Sequence, residues 1–194
     1  GLLPEGRALE SAAARLRGVE LDLAGAPATP SDVVALLAEY GRECAGAVVA
    51  VPAGDGLPVG GYPSEPLSEH ELGELIRNLP TRPLGADPAK GIRMSLGGAQ
   101  DKLLLVRVDG QWRRPVGGYP STHILKPATV WPHSAENEAL ILALSRSCRL
   151  SHNQSWVERI GDTTVLVAER YDRVITADGN VRRLHQEDMC QASG

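Results

Sequence analysis

Hydrophobic positions change their spacing about halfway along the chain. In the first part they recur every three or four residues. Between Arg7 and Arg17, Leu9, Ala12, Ala13 and Leu16 form one stripe with Glu10, Arg15 and Arg17 outside it, and Gly18 follows, which predicts a short amphipathic helix. Thr29-Pro30-Ser31-Asp32 is a helix-start signal, after which Val33, Leu36, Leu37 and Tyr40 repeat at helical spacing up to Gly41. Ser68-Glu69-His70-Glu71 carries the serine and carboxylate of a capping box, and Leu72, Leu75, Ile76 and Leu79 predict a helix to about Leu79. Ala47-Val48-Val49-Ala50-Val51, closed by Pro52, is instead a continuous apolar run and predicts a short buried strand. Ala53 to Pro66 is rich in glycine and proline and reads as a connecting loop. Pro80, Pro83 and Pro88 mark a second linker, which places a subdomain boundary at about Pro88.

From Gly91 onward the pattern is short apolar runs separated by turn residues. Ile92-Arg93-Met94 and Lys102 to Val108 predict two strands around Ser95-Leu96-Gly97-Gly98-Ala99-Gln100-Asp101. Asp109-Gly110 predicts a tight hairpin turn, with Gln111-Trp112-Arg113 as the return. Thr122 to Lys126 is a further strand, stopped by Pro127. Ser134 is expected to cap a helix with Glu136, Asn137 and Glu138 near its start and Leu140, Ile141, Leu144 and Cys148 as its apolar face. Ser155 to Ile160 and Thr164 to Glu169 flank Gly161-Asp162, and Asp178-Gly179 marks a last hairpin before His185. Gln186 to Gln191 reads as the first turns of a helix. The fold class is α+β: a small, mainly helical subdomain over residues 1–88, then an antiparallel sheet with one helix over 89–194.

Composition narrows the function classes. With 194 residues, 42% of them hydrophobic and none phenylalanine, the chain can bury a core of Leu, Val, Ile and Ala. A net charge of -4 and a pI near 5.7 argue against autonomous nucleic-acid binding, and Arg113-Arg114 and Arg182-Arg183 are too small as basic patches to change that. Cys44, Cys148 and Cys190 are far apart and form no CxxC pair, which predicts reduced thiols. His70, His123, His133, His152 and His185 lack metal-ligand spacing, so no metal site is expected from this chain alone. Neither a membrane-length apolar stretch nor a signal peptide is evident, and a cytoplasmic location is expected. The opening Gly1 and the helix begun at Gln186 read as the ends of a fragment.

The chemistry centres on Gly97-Gly98 and Lys102. Adjacent glycines bring bare amides close to a ligand, and a lysine beyond them can neutralise an anion, although a plain hairpin turn would use the same residues. The sequence after the loop is β-rich, so a Walker-type loop running into a helix is excluded. The order strand, glycine loop, strand, turn, strand ending in Lys126, helix starting with glutamates, two strands and an extended exit is that of a protein-kinase N-lobe. In that order Lys126 contacts phosphates, and Glu136 or Glu138 holds the lysine. No binding role is assigned to Trp112, Trp131 or Trp156, which can simply cover apolar surface. Glu187 and Asp188 read as charges at a helix N-terminus.

Five motifs together resemble those of HipA-like serine/threonine kinases, the toxin halves of HipBA toxin–antitoxin modules. They are Met94 to Lys102, Thr122-His123-Ile124-Leu125-Lys126, Glu136-Asn137-Glu138, Val167 to Arg173 and Gln186 to Gln191; Leu2-Leu3-Pro4 and Gly46-Ala47-Val48 resemble the family's N-terminal subdomain. The resemblance implies that Gly97, Gly98, Ala99, Gln100, Asp101, Lys102 and Lys126 contact the phosphates of ATP, with Glu138 the possible lysine partner. It implies that Glu169, Arg170 and Tyr171 form the adenine segment, through the backbone of Glu169 and Tyr171, and that Ser95 is an autophosphorylated serine. A phosphate there would add up to about two negative charges beside the ATP phosphates and favour an ejected loop. Asp101 stands where glutamate is frequent in the family, and Tyr171 where phenylalanine is. The resemblance further implies Mg2+ with ligands, like the catalytic aspartate, in a C-terminal lobe beyond Gly194. It also implies a HipB-like antitoxin as partner, DNA contact only through that antitoxin, and a glutamyl-tRNA synthetase as a known substrate type. The alternative expectation is a non-catalytic remnant or antitoxin-binding module.

Overall fold

The structure, a computed structural model, describes residues 9, 13, 30–56, 64–80, 85, 96–97, 100–177, 179–187 and 189–193. The expected strand Ile92-Arg93-Met94, Ser95, Gly98, Ala99 and most of the 80–90 linker lie outside the described residues, as does the first helix apart from Leu9 and Ala13. Leu9 and Ala13 pack with Leu36 and Tyr40 of helix α1 (Pro30–Tyr40), the apolar stripe anticipated from spacing. Gly41 ends α1, its amide donating to Leu37 O at 2.8 Å. A Cβ there would sit 2.3 Å from that carbonyl oxygen and 2.6 Å from Ala50 Cβ, so the chain turns tightly where only glycine fits.

The strand expected at Ala47–Val51 does not form. Gly46 takes φ +64, Ala50 N donates to Gly41 O at 2.7 Å, and the run continues without a ladder partner among the described residues. Apolar content alone had suggested β structure, but a strand needs a neighbour to satisfy its amides. The loop expected over 53–66 is corrected at its end, because Ser64–Pro66 forms strand β1 at the edge of the sheet. Proline is compatible with an edge, where a missing N–H need not break a ladder.

Around that edge, β2 (Leu103–Val108), β3 (Gln111–Pro115), β4 (His123–Pro127), β5 (Ser155–Ile160) and β6 (Thr163–Glu169) complete an antiparallel sheet of order β1-β3-β2-β4-β6-β5. Asp109 (φ 49) and Gly110 (φ 80) make the β2–β3 turn with two positive φ values, the hand that matches strand twist. Gly161-Asp162 joins β5 to β6. β7 (Arg173–Ile175) and β8 (Val181–Arg183) form a separate hairpin, and helix begins again at Met189.

One sheet face is covered by α2 (Glu69–Arg77), whose capping box forms as expected: Glu71 N donates to Ser68 Oγ at 3.3 Å and Ser68 N to Glu71 Oε2 at 2.8 Å. Leu72, Ile76 and Leu79 pack with Leu103, Leu105, Leu125, Val165 and Val167 in one core. β1 and α2 precede residue 88 and still share this sheet and core with the strands that follow it.

The same face holds a polar cluster within the core. His123 meets Trp112 and Trp156 edge-on at 5.3 and 5.8 Å, and Arg107 lies over both indoles. Both indole N–H groups donate to Glu158. Burial pushes the His123 ring down from 6.5 to about 4, against the opposing pull of Glu169 and Glu158. The unfolded ring therefore takes up a proton first: this contribution to stability is intact above about pH 6.5 and is lost as pH falls towards 4. The shift corresponds to on the order of 3 kcal/mol. An NMR titration should find the His123 ring neutral at pH 6, with urea midpoints declining between pH 6.5 and 4.

On the opposite face, Leu96 and Ile124 pack on Leu104, and α3 (Ser134–Ser147) lies against β5 and β6. Two expectations for α3 are corrected. His133, at φ 57, is the residue before the helix and makes no side-chain cap; Ser134 is already helical, and its Oγ accepts from Thr129 N at 2.8 Å. The face expected to be buried is turned outward: Leu140, Ile141 and Leu144 are 59%, 59% and 51% exposed, and Cys148 is exposed. Buried Ala135, with half-buried Glu138 and Leu142, faces inward instead, because the helix is rotated to bring Glu138 to the sheet.

Candidate functional site

Strand alternation on β4 separates two roles. His123 and Leu125 enter the core beneath α2, while Ile124 and Lys126 emerge on the other face, Lys126 opposite Leu166 and Ile124 opposite Ala168 of β6. Lys126 Nζ donates to Glu138 Oε1 at 2.5 Å, and the two side chains keep 24% and 34% of their exposure. That contact selects Glu138 over Glu136, which points to solvent. A half-open ion pair of this kind adds little stability and presents an ammonium held in one place.

The pair lines a cavity of about 240 Å³ whose walls include Leu96, Leu142, Ala168 and Glu169, with Tyr171 at 64% exposure. Glu169 N donates to Gln154 O, and Gln154 N to Glu169 Oε2, both at 2.9 Å, which fixes the end of β6. Ser155 Oγ and Gln186 Oε1, on two other wall residues, are buried and have no hydrogen-bond partner among the described residues. The lining is mainly apolar, with Leu96, Ile124, Leu142 and Ala168 around the Lys126–Glu138 pair, which fits a ligand with an apolar face and an anionic end. Gln186 was visible in the sequence as part of a motif without a role, whereas Ser155 carried no signal beyond opening a strand.

Of the glycine-loop residues, Gly97 is half-buried and Asp101 exposed, and Gln100 lies between them. Lys102 is buried, its Nζ donating to Gly97 O at 2.8 Å, so it ties the loop's two ends together. Arg170 belongs to the cavity wall, yet its guanidinium turns away from the opening.

That guanidinium enters a cluster the sequence gave no sign of. Arg170 bonds Glu43 and Asp172, at 3.2 and 2.7 Å, and donates to Ser121 Oγ at 2.9 Å. Arg173 bonds Glu43 at 2.7 Å and Asp172 at 2.9 Å, and donates to the carbonyls of Cys44 and Gly46. All four charged side chains are at most 4% exposed. Burial alone would lift Asp172 and depress Arg170; their mutual bond, with Glu43 on Arg170 and Arg173 and the Gly46 amide on Asp172, reverses both shifts. The neighbouring Cys44 thiol is pushed up to about 11 by burial and by Glu43. Glu43 follows a helix between Arg42 and Cys44, a position with no pattern that distinguishes it from a solvated charge.

Comparison with known proteins places this geometry. The profile of the HipA-like C-terminal domain matches residues 94–194. A Sinorhizobium fredii protein that bears the name "Putative kinase Y4mE" is 40% identical over 171 residues, covering 86% of this chain and 40% of that protein. The serine/threonine-protein kinase toxin HipA of Shewanella oneidensis is 29% identical over 179 residues, covering 92% of this chain and 40% of its own length. A solved structure of Shewanella oneidensis HipA with HipB and operator DNA superimposes with a TM-score of 0.68 at 27% identity, covering 98% of this chain and 42% of the matched one. The chain thus spans about 40% of the length of these curated relatives.

Proposed function

This chain belongs to the HipA-like C-terminal domain family, and on that premise we propose that it forms the nucleotide-binding part of a serine/threonine-protein kinase toxin that uses ATP. The observation that carries the reading is the Lys126–Glu138 pair on the wall of a cavity that ends at Glu169 to Tyr171. Lys126 is the group for the phosphates, oriented by Glu138, and the glycine loop of Gly97 to Lys102 is the second proposed phosphate contact. The backbone of Glu169 and Tyr171 receives the adenine edge. The apolar wall formed by Leu96, Ile124, Leu142 and Ala168 suits the faces of a nucleoside base. Bound ATP supplies the transferable phosphoryl group, with Mg2+ screening its charge; this chain's residues bind and orient it.

Ser95, directly before Leu96 on the cavity wall, is the proposed site of self-phosphorylation. A HipB-like antitoxin is the proposed partner, with DNA reached through it, and a protein such as a glutamyl-tRNA synthetase is the proposed substrate class. The full-length protein that contains this chain, expressed and supplied with Mg2+ and ATP, is expected to carry phosphate on Ser95 by mass spectrometry. An intact, ATP-binding product that transfers no phosphate to itself or to any protein would contradict the kinase reading.

A further inference from the structure

The buried cluster lies directly behind the segment that closes the cavity. Glu169, Arg170, Tyr171 and Asp172 are consecutive wall residues, yet the side chains of Arg170 and Asp172 leave the cavity for Glu43 and Gly46. The backbone is held on the same side: Arg170 N donates to Thr122 O and Leu184 N to Asp172 O, both at 2.9 Å. Glu43 is the hub, bonding both arginines and accepting from Ser121 N at 3.1 Å, although it is not among the described residues that line the cavity. Three segments far apart in sequence, 43–46, 121–122 and 170–173, are thereby fixed to one another through two acids and two arginines.

We propose that Glu43 is a positioning residue for the nucleotide site: with Arg170 and Arg173 it sets the backbone of Glu169 to Tyr171, and so governs recognition of the nucleoside and not of the phosphates. The inference rests on the nucleotide reading above. It makes the segment after α1 a functional part of the cavity, although the two are more than a hundred residues apart in sequence. Each charged group of the network is paired, with Arg173 Nε the one buried guanidinium nitrogen among its described atoms that lacks a partner, and such pairing leaves few alternative arrangements for the backbone edge it holds.

The phosphates are addressed from elsewhere, by Lys126 and the glycine loop, so the two halves of the ligand can be tested separately. Glu43→Gln, which keeps size and removes charge, is expected to weaken ATP and adenosine binding by about tenfold or more. Tripolyphosphate binding should stay within about twofold of the parent protein. Glu43→Gln with Arg173→Gln, which restores neutrality, should recover part of the adenosine affinity. In the unmodified protein, ATP should slow amide exchange at Gly46 and Ser121, which donate to Asp172 and Glu43; this readout stands even where the variant does not fold. Unchanged ATP affinity in a folded Glu43→Gln, equal losses for ATP and tripolyphosphate, or protection that stops at the cavity wall would each overturn the proposal. Absence of ATP binding to the unmodified protein would instead overturn the nucleotide reading itself.

Discussion

Lys126→Met is expected to weaken ATP binding by about one to two orders of magnitude while leaving the fold intact. Lys126 stands at the end of the central strand β4, with its ammonium fixed by Glu138 at 2.5 Å over the cavity. Charge-assisted bonds from a fixed ammonium to a phosphate contribute roughly 1.5–3 kcal/mol, which sets the size of the loss. Stability should change by less than about 1 kcal/mol, because the pair keeps 24% and 34% exposure and is screened. Glu138→Gln, which leaves the ammonium present but less firmly held, should have the same sign and a smaller magnitude. Isothermal titration and a urea melt on the same samples separate the two effects. A folded Lys126→Met protein with unchanged ATP affinity would remove Lys126 from the site.

Arg170→Met should lower stability by about 3–5 kcal/mol. The substitution leaves Glu43 and Asp172, side chains 0% and 4% exposed, with Arg173 as their remaining cation in the cluster, and removes one of the two hydrogen bonds made by Ser121 Oγ and by Cys44 O. Core truncations such as Leu125→Ala fall in a similar range for a different reason, a cavity left in packing. Acidity should act on the same cluster. Asp172 is held below the usual carboxylate range, so its contribution is present at neutral pH and is lost as pH falls below the ordinary value near 3.8. Chemical denaturation of Arg170→Met against the parent protein checks the magnitude. A loss under about 1 kcal/mol would mean the cluster does not hold these segments.

Most of the sheet was legible because turns and alternation are local. Asp109-Gly110 and Gly161-Asp162 bracket runs whose β propensity needs no distant information, and β2 to β6 fall within a residue or two of expectation. The capping box at Ser68 and Glu71 was legible for the same reason. Rotation of α3 was not. Leu140, Ile141 and Leu144 form the more obvious apolar stripe, but the sheet face beneath the helix also carries Lys126, and Glu138 turns towards it. Ala47–Val51 misled for lack of a partner strand, which no local pattern reports.

The candidate site divides along the same line. Lys126 could be placed from the strand it ends, while the choice between Glu136 and Glu138 depended on helix rotation and needed the structure. Family resemblance named Glu169 to Tyr171, but nothing in the sequence showed that Arg170 would turn its guanidinium away from the cavity. Glu43 was invisible, since its place in the cluster arises only from contacts with residues some 78 to 130 positions away. Long-range charge clusters have no sequence period, so they are the part of a site that a linear reading misses.

The proposed occupancy of the cavity between Lys126 and Tyr171 by ATP is tested by an ATP titration of the isotopically labelled chain followed by amide NMR. Saturable shifts centred on Gly97, Lys126, Glu138 and the segment 169–171 are the expected result. No saturable change, or shifts centred on the separate pocket formed by Ser68, Gln111 and Gly161 on the α2 side, would contradict it.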